Sequence, residues 1–151
     1  MNKVLFRAEG IPMPLWKKAA ENFVKSVLQT LRFDNWELSV LLCDNRYIKS
    51  LNAQYRNKDE ATDILSFPIG ETDPRGRFLA GDIAISLETL EENARYFKVS
   101  VDEELRRLFV HGILHLSGKD HATNGKEEPM LEAQEKILAA LASVQFKENA
   151  S

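Results

Sequence analysis

The chain has 151 residues, of which 44% are hydrophobic and 28% charged, with a net charge of −3 and an isoelectric point near 5.7. This length suits one domain with a proper core and is too short for two ordinary domains. The acidic balance gives no global reason to expect nucleic-acid binding, because phosphate contacts usually leave a basic footprint. The longest purely apolar run, at 137–142, is far below the length that a bilayer requires.

The beginning of the chain and its single cysteine both favour a cytoplasmic protein. Residues 1–10 mix charges into their apolar positions and lack the uninterrupted apolar stretch of a signal peptide. Cys43 has no second cysteine to pair with, and it ends the apolar run VLLC. We therefore predict a small buried side chain in a reducing compartment, and we expect no membrane partner.

The N-terminal third predicts a helix between two strands. Over 14–31 the apolar residues recur at intervals of three and four, which is typical of a helix that begins at a proline. Residues 37–43 predict a strand, and Leu5 and Phe6 could supply a further one.

The middle of the chain predicts a capped helix and two more strands. Asp44 is placed to cap a helix that runs to about Arg56. Three of its residues are predicted to lie on one face: Ile48, Leu51 and Tyr55. Strands are expected at 64–69 and 81–86, separated by the loop GETDPRGR at 70–77.

Two further helices have clear capping signals. Ser86 caps a short helix that ends near Lys98. Ser100 and Glu103 form a capping box for the next helix, and Gly118 is the glycine expected at its C-terminal end.

A last helix is expected from Pro129 to about Phe146, followed by a frayed tail at 147–151. Helices and strands in this order predict a small α/β fold (α+β-like) that forms a single domain over 1–146. Its core would be one mixed sheet of three to four strands packed with about five helices.

The three histidines of the chain all lie in the segment HGILHLSGKDH at 111–121. His111 and His115 are four residues apart, so on a helix they project from neighbouring points of one face, beside the apolar stripe. Gly118 lets the chain turn back, so that His121 arrives from the following loop. A lone histidine at a helix edge is more often structural or exposed, but random placement would bring all three this close only on the order of one time in a hundred.

Three imidazoles with a fourth position left open are a common way to hold a catalytic zinc ion. A structural zinc site usually has four protein ligands with cysteine among them, and Cys43 is far away in the sequence. We therefore predict one Zn²⁺ ion held by His111, His115 and His121. A metal with an open position lowers the pKa of bound water, which indicates hydrolytic chemistry.

The spacing of these histidines is also the zinc frame of the metzincin proteases. Those proteases carry glutamate directly after the first histidine as the general base. Here that position is Gly112, which can neither accept a proton nor polarise a zinc-bound water. A peptidase would therefore need a base from elsewhere in the chain.

Four segments resemble, in the same order, those of the YbeY-type endoribonucleases, a family of ribosomal RNA maturation factors. LNAQYRNKDEATDILSFP at 51–68 resembles the arginine-bearing helix and TDVLSFP strand of that family, and LAGDIAIS at 79–86 resembles its GDI strand. The histidine segment is similar to its HGxLHLxGYDH signature, and EEPMLEAQEKIL at 127–138 to the helix that follows. Lys119 replaces the usual tyrosine and Ala61 the usual proline, but neither change removes a ligand.

The resemblance implies a zinc-dependent, single-strand-specific endoribonuclease that acts in small-subunit ribosomal RNA maturation and ribosome quality control. The implied catalytic residues are Arg56 and the three histidines. Arg56 would clamp a phosphate in a forked contact, although the sequence alone indicates an ordinary surface arginine. The implied partners are ribosomal RNA as substrate, the small ribosomal subunit and ribosome-assembly factors.

Two aspartates near these motifs have open roles. Asp120 could orient a histidine or shape the turn, and we favour the turn. Asp82 could support a metal ligand or satisfy backbone donors. Four basic residues could form a local groove for RNA, but such runs are more often solvated faces: Arg46, Lys49, Arg56 and Lys58.

Three functions from different classes therefore remain open. The first is the RNA endonuclease. The second is another zinc hydrolase, including a peptidase, on the same histidine frame. The third is a non-enzymatic ribosome-assembly factor.

Overall fold

A computed structural model gives the fold, and it describes residues 1–118 and 127–142, with the side chains of 127–131 left aside. The elements are β1 (Lys3–Glu9), α1 (Lys17–Thr30), β2 (Trp36–Cys43), α2 (Asn45–Arg56), β3 (Ile64–Thr72), β4 (Phe78–Ser86), α3 (Leu87–Phe97), α4 (Val101–Leu116) and α5 (Glu127–Ala140). The strands form one sheet in the order β1-β2-β4-β3. β1, β2 and β4 run parallel, and β3 pairs antiparallel with β4 at the edge. The predicted α/β fold with one mixed sheet and about five helices is confirmed.

Alternation along the strands gives the sheet two different faces. One face, which we call the covered face, packs against α1 and α4 and supplies most of the core. Its strand residues include Phe6, Val40 and Ile83, all at most 8% exposed. The opposite face, which we call the cleft face, is covered in part by α2, whose Ile48 packs in a second cluster with Leu65.

Helix α4 lies close against the sheet because Gly112 has no side chain. A Cβ atom added there would lie 2.9 Å from Ile83 Cδ1 and 3.2 Å from Ile64 Cδ1. Helices α1, α3 and α5 also contact α4, so that Val110 and Leu114 are buried along with the expected apolar stripe. The helix that carries two of the histidines is therefore the central helix of the fold.

The strands of the β3–β4 hairpin are longer than the sequence predicts. They extend to Thr72 and begin again at Phe78, and these two residues pair after a register shift that follows Pro68. The turn between them is held by Asp73, whose carboxylate Oδ1 accepts the backbone N–H groups of Arg75 at 2.8 Å and Arg77 at 2.9 Å. Cross-strand pairing thus converts much of the expected loop into strand.

The three residues predicted on one face of helix α2 differ in their burial. Ile48 is buried and Leu51 half-buried, whereas Tyr55 is 60% exposed because the last turn of α2 overhangs an open part of the cleft face. Asn52, three residues before Tyr55, is buried instead and is 3% exposed. Its Nδ2 donates to the Glu60 carbonyl oxygen at 2.9 Å and holds the loop after the helix.

The remaining boundaries differ by a few residues. α1 begins at Lys17, and α5 runs from Glu127 to Ala140, which is earlier at both ends than predicted. Phe146 and the tail at 147–151 lie outside the described residues, so the domain bounds 1–146 stay a prediction. In the part of the chain that the structure describes, no helix is both long and apolar enough to cross a membrane.

Candidate functional site

The register of α4 is fixed at both ends by the residues that the sequence singled out. Ser100 Oγ accepts the backbone N–H of Glu103 at 2.9 Å, which caps the helix at its N-terminus. At the other end Gly118 has a φ of +84° and donates its N–H to the His115 carbonyl oxygen at 3.0 Å. These contacts set which side chains of α4 face the sheet and which lie at its rim.

His111 and His115 lie together on the rim of α4. Their ring centroids are 4.3 Å apart with the planes at 58°, and both residues are half-buried. Zinc binds imidazole nitrogen at about 2.0–2.1 Å, so one nitrogen of each ring can reach the same ion. The donor set of two imidazoles at this separation therefore fits a divalent metal.

Gln134 of α5 contacts His111. Its Oε1 lies 3.3 Å from His111 Nδ1, and its side chain is only 4% exposed. Sequence reasoning missed this residue, although a polar position among the apolar residues of α5 was the available signal. The contact leaves Nε2 of His111 as the nitrogen available to a ligand.

The third predicted ligand lies outside the described residues. His121 falls there, as do Lys119 and Asp120, so their assigned roles stay predictions. Among the residues that the structure does describe, no three His, Cys, Asp or Glu side chains form a possible metal site. The structure thus brings together two of the three predicted ligands.

The position of a peptidase base is turned into the core. Gly112 follows His111 directly and faces Ile83 and Ile64 on the covered face of the sheet. A glutamate side chain at this position would be directed into the sheet and away from the rim. The close packing of α4 on the sheet therefore explains why glycine occupies this position.

The last turn of α2, which carries Arg56, lies over the edge strand β3 on the cleft face. Arg56 is exposed in this turn, and its neighbour Tyr55 packs its ring against Phe67 of β3 at 5.4 Å between centroids. α4 contacts β3 on the covered face, at Ile64. Arg56 and the histidine pair are thus separated by the edge strand β3.

The cleft face carries an open cavity of about 730 Å³ that is lined in part by Tyr55, the residue before Arg56. Its lining includes aromatic rings and polar groups: Tyr47, Tyr55, Phe67, Arg7, Ser39 and Asp82. Asp82 is exposed here. Since alternate residues point to opposite faces, its side chain is directed away from α4 and from the histidines.

The basic residues differ in their contacts. Arg46, Lys49, Arg56 and Lys58 are all exposed, and Lys49 Nζ lies 4.0 Å from Asp59 Oδ1. In the hairpin, Arg77 has a structural role, because its Nη1 donates to the carbonyl oxygens of Met1 and Trp36 at 3.3 Å.

A buried carboxyl group lies two helical turns before His111. Glu104 is 8% exposed, and its burial raises its pKa, with the negative charge of Asp63 acting in the same direction. The Arg107 guanidinium opposes both effects on the pKa. Asp63 in turn accepts Asn93 Nδ2 at 3.3 Å, so this carboxyl pair belongs to the packing of α3, α4 and the start of β3.

Comparison with known proteins identifies the family. The family model for Endoribonuclease YbeY matches residues 6–142. The Endoribonuclease YbeY of Treponema denticola is 52% identical over 78% of this chain and 79% of its own length. That of Treponema pallidum is 46% identical over 92% of this chain and 89% of its own length, and that of Persephonella marina is 39% identical over 95% of each chain.

A solved structure has the same fold. The solution structure of TM1509 from Thermotoga maritima superimposes with a TM-score of 0.66 at 31% identity, over 93% of this chain and 92% of that one. The family match, the relatives and the shared fold all extend over most of the chain. The chain therefore belongs to the endoribonuclease YbeY family, which confirms the predicted family and its class as a nuclease enzyme.

Proposed function

We propose that this protein is a zinc-dependent endoribonuclease that cuts single-stranded RNA in the cytoplasm, during maturation and quality control of the small ribosomal subunit. The observation that carries the proposal is the half-buried pair of His111 and His115 on α4, in a member of the endoribonuclease YbeY family. The RNA substrate and the link to the ribosome are supported by family membership and by the sequence motifs.

The metal site would be made by His111, His115 and His121. The first two project from the rim of α4, and the third follows three residues after Gly118. When bound, zinc supplies Lewis-acid chemistry, which stabilises negative charge on a phosphodiester and acidifies water. α4 keeps the first two ligands at the edge of the core, where they are partly screened from solvent.

Arg56 would hold a phosphate of the RNA chain. Its guanidinium presents donors in a planar fork that matches two phosphate oxygens, and it is always charged. Its exposed position at the end of α2 leaves it accessible to a bound strand. A strand that crosses β3 would contact Arg56 on the cleft face and the histidines on the other side.

The side chains of the cleft face favour single-stranded RNA over duplex RNA as the substrate. Single-stranded RNA exposes base faces that stack on aromatic side chains, whereas bases inside a duplex are already stacked. Tyr55 is 60% exposed beside Arg56, with its ring against Phe67. Lys58, an exposed cation two residues after Arg56, would contribute to backbone binding despite the net charge of −3.

The substrate class is tested by offering three polymers to the purified protein. We expect cleavage of a single-stranded ribosomal RNA fragment, little cleavage of the same fragment as a duplex, and no hydrolysis of casein. A metal chelator should abolish the RNA cleavage. His115→Ala serves as the control for a contaminating nuclease, because it should lose the activity.

The outcomes separate the three functions. Casein hydrolysis that the chelator stops would establish a peptidase on the same histidine frame. Intact RNA, together with binding to the small ribosomal subunit, would establish a non-enzymatic assembly factor. RNA cleavage that His115→Ala retains would assign the activity to a contaminant and contradict the proposal.

A further inference from the structure

We infer that Gln134 is a positioning residue for the metal site, whose side-chain carbonyl holds His111 in the tautomer that presents Nε2 to the metal. This inference rests on the proposed metal-dependent function and deepens it. It concerns a residue of α5 that contacts a ligand and does not itself touch metal or substrate.

The burial of Gln134 is the first observation. It is one of four polar or charged residues that are buried in the described part of the chain, and it is 4% exposed. A buried amide without a hydrogen-bond partner is unfavourable, because it has given up its hydrogen bonds to water. Its Oε1 lies 3.3 Å from His111 Nδ1, and the amide therefore has a defined partner on the metal-binding helix.

The chemistry of this contact selects one tautomer. A carbonyl oxygen only accepts, so a neutral His111 must carry its hydrogen on Nδ1 in order to donate to Oε1. That leaves the lone pair of Nε2 for a metal ion. The opposite arrangement, with the amide nitrogen donating to Nδ1, would put the hydrogen on Nε2 and remove the ligand.

The position of α5 is fixed independently of this contact. Arg107 of α4 pairs with Glu135, the residue after Gln134, and Arg106 Nη1 donates to the carbonyl oxygen of Leu141 at 3.1 Å. Ile137, three residues after Gln134, is 5% exposed and belongs to the main core cluster. The helix therefore holds the amide in place against His111 with no help from a metal.

The affinity for zinc tests this role. Gln134→Leu removes the acceptor, and we expect zinc to bind about 10- to 100-fold more weakly, which is the usual effect of losing such a partner. Gln134→Glu keeps an acceptor oxygen and should stay within a few-fold of the native affinity. Glu132→Gln, at an exposed position of the same helix, is the matched control and should leave the affinity unchanged. Competition with a chromophoric chelator gives the four dissociation constants.

A second readout does not depend on metal. Long-range ¹H–¹⁵N spectra of the zinc-free native protein should show the hydrogen of His111 on Nδ1, and Gln134→Leu should shift it towards Nε2. If Gln134→Leu does not fold, the native spectrum decides, because a hydrogen on Nε2 would overturn the inference.

The two proposals fail in different ways. Zinc binding by Gln134→Leu as tight as that of the native protein overturns the role of Gln134 alone. A native protein that takes up no zinc overturns the proposed function and the role of Gln134 together. His115→Ala, measured in the same titration, shows how a lost ligand differs from a lost positioning contact.

Discussion

Glu104 shows how a single carboxyl group couples stability to pH in this fold. Burial is the largest cause of its raised pKa, and the neighbouring charge of Asp63 adds to it. Its pKa in the unfolded chain should be near the ordinary value of 4.5. Because the folded pKa is higher, the stabilising contribution of protonated Glu104 is fully present below pH 4.5. That contribution is lost as the pH rises through the folded pKa.

Glu104→Gln should therefore stabilise the protein at high pH only. The variant has no charge to bury, so we expect its free energy of unfolding to exceed that of the native protein at about pH 8 and to match it at about pH 4. Urea denaturation at the two pH values measures the difference. Glu92→Gln, at an exposed position of α3, is the control, and a Glu104→Gln effect that does not change with pH would contradict the assignment.

Arg56 allows a test of phosphate binding at one side chain. A hydrogen bond to a charged group is worth about 1.5–3 kcal/mol, so Arg56→Ala should lower kcat/KM for RNA cleavage about 10- to 100-fold. Arg46→Ala removes an exposed cation from the same helix and should have a much smaller effect. Equal losses in the two variants would reduce Arg56 to one of several interchangeable charges.

Local chemistry determines which residues could be predicted. Cys43 was expected to be buried because it ends an apolar run, and it is 0% exposed with a pKa that burial raises to about 12. Asn52 and Gln134 were missed because their burial depends on contacts with other parts of the fold. Asn52 contacts the loop after α2, and Gln134 contacts His111 on α4. The one local signal for Gln134, a polar position among the apolar residues of α5, does not reveal which residue it contacts.

At the scale of elements, the contact between α4 and the sheet depends on Gly112. Gly112→Val would force branched carbons against Ile83 and Ile64, where even one Cβ atom lies within 3.2 Å of both. Overpacking of this kind costs about 1–3 kcal/mol, and we expect the free energy of unfolding to fall by that amount.

Denaturant unfolding of Gly112→Val beside Ala139→Val makes this comparison. Ala139 is exposed on α5, so its replacement carries only the lower helix propensity of valine, about 0.7 kcal/mol or less. Native-like stability in Gly112→Val would mean that α4 is not packed against the sheet as closely as described.

Helix starts were predicted better than strand ends, for a physical reason. Asp44, Ser86 and Ser100 each accept a backbone N–H three residues later, and this contact is local in sequence. The hairpin ends at Thr72 and Phe78 depend on cross-strand pairing after a register shift, which no local pattern encodes. The sequence therefore located α2, α3 and α4 to within a residue or two at their starts and shortened β3 and β4.

At the scale of the whole molecule, strand order explains why the predicted site residues lie on two faces of the sheet. Apolar patterns predicted the strands and helices, but the order β1-β2-β4-β3 follows from non-local pairing. That order puts β3 at the edge, with α2 and Arg56 on the cleft face and α4 with the histidines on the covered face. The sequence motifs therefore predicted the residues of the site, while the arrangement of Arg56 and the two described histidines around β3 required the fold.

The most direct test of the account is the dependence of RNA cleavage on zinc and on His115. Metal-stripped native protein and metal-stripped His115→Ala are titrated with zinc while the cleavage of a single-stranded ribosomal RNA fragment is followed. We predict that native cleavage is absent without metal and is restored at one zinc ion per chain, whereas His115→Ala stays at background at the same zinc concentrations. Cleavage by the metal-free native protein, or equal restoration in both proteins, would contradict the account.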